Sequence, residues 1–134
     1  MMETMKIIDA PFLIGDKWQV AFLNYAPEEA LESIVKLDVH HYTDEVFVLL
    51  DGRAALIGAQ VDDGGVAYEA VDMRPLCAYN IRRGVWHKIA MQPGSRVLIV
   101  ENCNTHLGDF EFYDLSAEQI AALRETVVKV WSEE

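Results

Sequence analysis

The chain has 134 residues, of which 51% are hydrophobic, which is enough for one domain with a buried core. Its 22 acidic and 11 basic residues give a net charge of -11. A surface of this charge repels phosphate backbones and anionic lipid, so nucleic acid and membrane are poor candidates as partners. No apolar stretch approaches the roughly 20 residues needed to span a bilayer.

The N-terminal residues and the cysteines predict a compartment. Residues 1–18 lack the basic head and unbroken apolar run of a signal peptide. Cys77 and Cys103 are isolated thiols without CxxC spacing. We therefore expect a reducing, cytoplasmic setting in which both cysteines are small buried apolar residues.

Most of the chain has the pattern of short β-strands separated by turn signals. Pro27 opens an acidic stretch, 27–33, that predicts one or two helical turns. Asp51-Gly52 predicts a tight hairpin turn, and residues 62–65 predict the next turn. Strands are predicted at 17–26, 34–42, 45–50, 53–61, 66–71, 77–81, 85–91 and 96–102. Strands of this number and spacing indicate a β-sandwich or barrel.

The C-terminal residues change to a helical period. Ser116 followed by Gln119 is a capping-box signal. The apolar residues after it recur at helical spacing, at Ile120, Leu123, Val127 and Val130. These features predict one amphipathic helix over about residues 116–131, with its apolar stripe on the barrel or on a partner subunit.

Two segments carry histidine next to an apolar strand. Residues 40–52, "HHYTDEVFVLLDG", hold two histidines and Glu45, and residues 82–88, "RRGVWHK", hold His87 after a glycine turn. Two histidines and one carboxylate suit a divalent first-row metal and leave positions open for substrate. His40 and His41 face opposite ways on a regular strand, so we assign His41 to the site and His40 to the surface. The alternative for any single histidine is a hydrogen-bonded structural role.

The second of these segments is also rich in positive charge. Four of the eleven basic residues fall within positions 74 to 88, namely Arg74, Arg82, Arg83 and Lys88. They predict recognition of an anion, and the alternative is that they balance an acidic surface.

These segments resemble the two motifs of the cupin superfamily. The first, G-(x)5-H-x-H-(x)3,4-E-(x)6-G, is matched by His41, Glu45 and Gly52, and the second, G-(x)5-P-x-G-(x)2-H-(x)3-N, by Gly84 and His87. The chain departs from the motifs at Ser33, Val39, Leu76, Arg82 and Met91, and Val39 stands where the first metal histidine belongs.

The resemblance implies an all-β double-stranded β-helix barrel of the cupin type with a C-terminal α-helix. The whole chain, 1–134, would be a single domain, with its barrel over about residues 5–113. It also implies a metal site of His41, Glu45 and His87 for one divalent transition metal (Zn, Fe, Mn or Ni), with three of the four customary ligands present.

Within the cupins, "EVFVLL" and "YNIRRGVWHKI" resemble the ureidoglycolate lyase group, dimeric enzymes that release glyoxylate and urea. This resemblance implies that Glu45 and His87 are catalytic and that Arg82, Arg83 or Lys88 hold the substrate carboxylate. Small cupins of sugar metabolism match the first motif about as well.

We therefore expect a small cupin that binds a small anionic metabolite, a hydroxy or keto acid or a sugar-type molecule, in the barrel. Lyase or isomerase activity is one interpretation, and a non-catalytic ligand-binding or sensor cupin is the alternative. A homodimer is expected because edge strands in so small a barrel need covering, and because the helix with Trp86 and Trp131 offers apolar surface.

Overall fold

The computed structural model describes residues 10–14 and 17–133. Two short 3₁₀ turns, Pro27–Glu29 and Leu31–Ser33, follow the second strand, as the acidic stretch predicts. The strands are β1 (Ala10–Ile14), β2 (Trp18–Asn24), β3 (Lys36–Val39), β4 (Glu45–Asp51), β5 (Ala54–Asp62), β6 (Gly65–Asp72), β7 (Ala78–Ile81), β8 (Trp86–Met91), β9 (Arg96–Asn102) and β10 (Glu111–Asp114). The helices are α1 (Thr105–Gly108) and α2 (Ala117–Ser132).

The described strands form two antiparallel sheets of five strands each. One sheet has the order β1-β2-β9-β4-β7, and the other has the order β10-β3-β8-β5-β6. Consecutive strands often lie in different sheets, so the chain crosses repeatedly between them. The predicted all-β double-stranded β-helix architecture is confirmed by this arrangement.

Two apolar clusters hold the sandwich together. The inner cluster lies between the sheets and includes Phe47, Leu56, Ile89 and Val97. The outer cluster lies on the far face of the second sheet, where α2 contributes Leu123 and Val127. The second sheet is therefore covered on both faces, which explains why β5 opens with four consecutive buried residues.

Helix α2 begins where the capping box predicts. The Ser116 hydroxyl accepts the N–H of Gln119, and the Gln119 side chain accepts the N–H of Ser116. The predicted contact of its apolar stripe with the barrel is confirmed by the packing of Leu123 and Val127 in the outer cluster. Trp86 also lies on this outer face, edge-on to Tyr113, because neighbouring residues of a strand face opposite sides and His87 points inward.

Several local predictions are wrong. Asp51-Gly52 does not join a hairpin, because β4 and β5 belong to different sheets, and the turn carries the chain from one sheet to the other. By contrast, residues 62–65 do close the β5–β6 hairpin. The strand predicted over 34–42 is only Lys36–Val39, and β1 and β10 were not predicted. The expected start of the barrel near residue 5 lies outside the described residues.

The cysteines also depart from expectation. Cys77 is exposed and Cys103 is half-buried, so neither is the buried core residue that the sequence predicts. In the part of the chain that the structure describes, no helix is long and apolar enough to cross a membrane.

Replacing Leu123 with Ala tests the outer cluster. Leu123 is fully buried between α2 and the sheet, so the substitution should lower the free energy of unfolding by about 2–5 kcal/mol. Val128→Ala, on the exposed face of the same helix, should change it by less than about 0.5 kcal/mol. Urea unfolding followed by circular dichroism measures both. Equal effects of the two substitutions would mean that α2 does not cover the sheet.

Candidate metal centre

Three side chains converge between the two sheets. Glu45 is the first residue of β4, His87 the second residue of β8, and His40 directly follows β3. One ligand atom from each lies within 4.8 Å of the others. Oε1 of Glu45 is 2.9 Å from Nε2 of His87 and 3.2 Å from Nε2 of His40. Glu45 and His87 are almost fully buried, and the His40 side chain is only 14% exposed.

The other ring nitrogen of each histidine contacts a backbone carbonyl. Nδ1 of His40 lies 2.6 Å from the carbonyl oxygen of Asp109, and Nδ1 of His87 lies 3.0 Å from that of Val85. A carbonyl oxygen only accepts hydrogen bonds, so both Nδ1 atoms carry the proton. In a neutral imidazole the lone pair is then on Nε2, the atom that faces Glu45. Each short Nε2–carboxylate contact therefore needs an extra proton or a cation between the atoms.

The pKa values of His40 and Glu45 are shifted from their ordinary ranges. Burial alone would lower the pKa of His40, but the hydrogen bond and negative charge of Glu45 outweigh it and raise that pKa to about 9. Burial likewise opposes ionisation of Glu45, yet its hydrogen bonds to His40 and His87 lower its pKa to about 2. Without a metal, the imidazolium of His40 therefore neutralises the carboxylate of Glu45.

A second carboxyl group lies beside the cluster. Glu101, on β9, has its Oε2 3.8 Å from Nε2 of His40. Burial and the negative charge of Glu45 raise the pKa of Glu101 to about 8. The fully buried Gln19 donates through Nε2 to Oε1 of Glu101 at 3.1 Å and accepts the N–H of Asn104. Gln19 therefore fixes the orientation of a carboxyl group that keeps its proton near neutral pH.

Asp109 holds the segment that carries His40. Its two carboxylate oxygens accept the backbone N–H groups of His41 and Tyr42 at 2.8 and 3.0 Å, and its carbonyl accepts from His40. On the other side, the N–H of Gly84 donates to the carbonyl of His40 at 2.7 Å. The two histidine-bearing segments are thus joined through the backbone as well as through Glu45.

The assignment of His41 to the interior is wrong, and His40 takes its place. The His41 side chain is 44% exposed, and its Nε2 lies 3.4 Å from the exposed Glu111. The reason is the parity of β3, whose buried Leu37 packs in the outer cluster under α2. Residues of the opposite parity, Asp38 and His40, therefore line the interior cavity.

The cluster forms part of a cavity of about 220 Å³. One side of it is apolar, and the other is formed by Glu29, Asp38 and Lys88. Nζ of Lys88 lies 3.2 Å from Oδ2 of Asp38, whereas Oδ1 of Asp38 is buried without a hydrogen-bond partner among the described residues. Burial raises the pKa of Glu29, which faces Lys88. The cavity therefore offers one cation and one unsatisfied acceptor beside the histidines.

The predicted anion-binding residues are divided between two places. Lys88 lines the interior cavity. Arg82 and Arg83 are exposed and line a separate groove of about 820 Å³, which Glu101 also borders. Arg74 borders neither the cavity nor the groove.

The spacing of the first cupin motif also fits His40 in place of His41. The first cupin motif allows three or four residues between its second histidine and its glutamate, and His40 satisfies the longer spacing to Glu45. Asp38, rather than Val39, then occupies the position of the first histidine. The sequence holds no comparable signal for Asp109 and Gln19. Asp109 acts through contacts with the backbone around His40, and Gln19 acts through a hydrogen bond to the sequence-distant Glu101.

The fold of this chain is shared with proteins of known structure. No protein-family model matches the sequence, and no curated protein sequence matches it either. Among solved structures, one similar chain is a mutant of the 3,4-ketoisomerase of Thermoanaerobacterium thermosaccharolyticum in complex with TDP-4-keto-6-deoxyglucose. The TM-score is 0.52 at 14% identity, over 85% of this chain and 75% of that one.

A second similar structure is an uncharacterised conserved protein with a double-stranded β-helix domain from Klebsiella pneumoniae subsp. pneumoniae. It has a TM-score of 0.52 at 14% identity, over 81% of this chain and 84% of its own. The chain has the double-stranded β-helix fold. The ligand atoms of His40, Glu45 and His87 lie close enough together to hold one metal ion.

The stability of the metal-free protein should depend on pH through this cluster. The raised pKa of His40 gives stability that is complete below pH about 6.5 and lost as pH rises through about 9. The raised pKa of Glu101 acts in the same direction, with stability lost between pH about 4.5 and 8. The lowered pKa of Glu45 gives stability that is lost as pH falls from about 4.5 through about 2. From these three groups, urea unfolding in chelator should therefore show a stability maximum near pH about 4.5 and a decline from there to pH about 9.

Glu101→Gln isolates one part of that dependence. The amide keeps an oxygen for Gln19 but has no proton to lose, so the variant should gain stability relative to the parent protein on going from pH about 5 to 8. A constant difference between the two proteins across this range would show that Glu101 titrates normally in the folded state.

Proposed function

We propose that the protein holds one divalent transition metal at His40, Glu45 and His87 and binds a small hydroxy or keto acid there. The observation that carries the proposal is the commitment of both Nδ1–H groups to carbonyl oxygens. It directs two Nε2 lone pairs and one carboxylate oxygen at a common point. Backbone contacts of this kind orient histidine ligands toward a metal and fix their tautomer.

The donor set fits the group. Two neutral imidazoles and one carboxylate suit iron, manganese, nickel or zinc, and three protein ligands leave coordination positions open for a ligand in the cavity. When bound, the metal would polarise a carbonyl or hydroxyl oxygen as a Lewis acid. The raised pKa of His40 means that its proton must leave before the metal binds, so the affinity should increase with pH.

The cavity sets the size of the ligand. Its volume of about 220 Å³ corresponds to about seven water molecules at roughly 30 Å³ each. This space suits a small organic acid, and the apolar wall formed by Phe47, Ile89 and Ile99 would exclude bulk water from it.

The polar wall sets the chemistry of the ligand. Lys88 is the cation available to a carboxylate, and Oδ1 of Asp38 can accept a hydrogen bond from a hydroxyl group. With Glu45 engaged as a ligand, Glu101 becomes the group that holds or moves a proton next to it. These roles support lyase or isomerase chemistry, and ureidoglycolate lyase activity is one candidate.

A non-catalytic ligand-binding cupin is the second candidate. It is favoured by the pairing of Lys88 with Asp38 and of His40 with Glu45, since groups engaged in ion pairs are not poised to move a proton. In that case the protein would bind the same acids without consuming them. A homodimer with the function in each barrel is part of either proposal.

Metal content tests the proposed ligands. Protein purified without chelator should contain about one transition metal ion per chain, and His40→Ala and His87→Ala should each lower metal affinity at least tenfold. His41→Ala is the matched control, since His41 is adjacent in sequence but points outward, and it should leave the metal unchanged. Elemental analysis with metal titration measures all three. Loss of metal in His41→Ala alone would overturn the assignment.

Ligand binding tests the cavity. Glyoxylate, ureidoglycolate and other small hydroxy and keto acids should raise the melting temperature of the metal-loaded protein, and Lys88→Gln should weaken their binding about tenfold. Consumption of the stabilising acid, abolished by Glu101→Gln, would identify an enzyme. Binding without consumption would identify the non-catalytic candidate, and no effect of any acid would contradict the proposed ligand class.

A further inference from the structure

The groove of about 820 Å³ beside the metal centre has features that the proposed function does not use. It lies over β9, and its far wall is the segment between β3 and β4 with the turn before β8. Its rim carries the exposed aromatic side chains of Trp18 and Tyr42 together with Arg82 and Arg83. Its volume is within the range of about 300–1,000 Å³ that is typical of small-molecule sites.

The aromatic side chains stand at one end of the groove. Trp18 is the cross-strand partner of Asn102, and Nδ2 of Asn102 donates to the carbonyl of Tyr42 at 2.9 Å. Asn102 therefore holds both residues in the same neighbourhood. Trp18 is 50% exposed and Tyr42 is 77% exposed. Large exposed rings on a pre-formed backbone frame are suited to stacking on a planar group.

The positive charge stands next to Asp44. Both carboxylate oxygens of Asp44 are already used, since Oδ1 accepts the N–H of Arg83 and Oδ2 accepts from Nδ2 of Asn80. Among the residues that the structure describes, no hydrogen bond or ion pair to the guanidinium groups of Arg82 and Arg83 is found. Two guanidinium groups on a chain of net charge -11 provide a local site for a phosphate or carboxylate.

The groove also borders the candidate metal centre. Glu101 lines the groove, while its carboxyl group contacts both His40 and Glu45. The interior cavity of about 220 Å³ is too small for a large ligand, so a large ligand would have to lie in the groove.

We propose that this groove binds an anion that carries a planar ring, with the ring on Trp18 and Tyr42 and the anionic group on Arg82 and Arg83. The inference extends the proposed function by naming a second, larger ligand class beside the metal. It does not need the metal itself, because none of the three proposed metal ligands lines the groove.

Calorimetric titration with matched probes tests the proposal. The ring-bearing anions are adenosine and uridine diphosphate on the phosphate side and indole-3-acetate and benzoate on the carboxylate side. Pyrophosphate and adenosine supply the charge alone and the ring alone. At least one ring-bearing anion should bind at least tenfold more tightly than pyrophosphate and adenosine, and which one binds distinguishes phosphate from carboxylate as the anionic group.

Variants locate the binding. Trp18→Ala and the double variant Arg82→Gln/Arg83→Gln should each weaken that binding at least tenfold. Arg74→Gln and Phe112→Ala, which remove an exposed arginine and an exposed aromatic ring outside the groove, should leave it unchanged. Circular dichroism confirms that each variant is folded.

The test of ring-anion binding can be distinguished from the test of metal binding. His87→Ala should lose metal and keep ring-anion binding. If no ring-bearing anion binds at millimolar concentration, or if the groove variants bind as the parent protein does, this inference is wrong while the metal centre can still stand.

Discussion

The contact of one carboxylate oxygen with two imidazole nitrogens governs the interior of this protein. Oε1 of Glu45 faces Nε2 of both His40 and His87, and both Nδ1 atoms are committed to carbonyl oxygens. Such an arrangement in a buried setting is stable only with a positive charge at its centre, either a proton or a metal ion. This contact raises the pKa of His40 and lowers that of Glu45, whereas burial, together with the negative charge of Glu45, raises the pKa of Glu101.

Surrounding side chains hold the charged groups of this cluster in position. Asp109 fixes the backbone on which His40 stands, and Gln19 fixes Glu101 beside it. Both reach the site from segments distant in the sequence, and neither offers an atom to the proposed metal. The polar side chains of the barrel interior therefore form one connected network, in which each group is held in place by its neighbours.

Much of the fold could be predicted from the sequence, because alternating apolar residues and the capping box at Ser116 are local signals. Glu45 and His87 could be found from their motif positions. His40 could not be told from His41 by alternation, because Leu37 of β3 packs in the outer cluster with residues of α2, while Asp38 faces the cavity. The usual inference that the apolar face of a strand points into the barrel fails where a helix buries the other face.

The distribution of the three site residues over the sandwich has a mechanical consequence. Glu45 belongs to one sheet, whereas His87 and the strand before His40 belong to the other. An ion held by all three residues would cross-link the two sheets, since separating the sheets on this side would require breaking coordination bonds. The separation of the sheets at the barrel mouth would then be set by the radius of the ion. Exchanging one metal for another would alter the spacing of the walls as well as the reactivity between them.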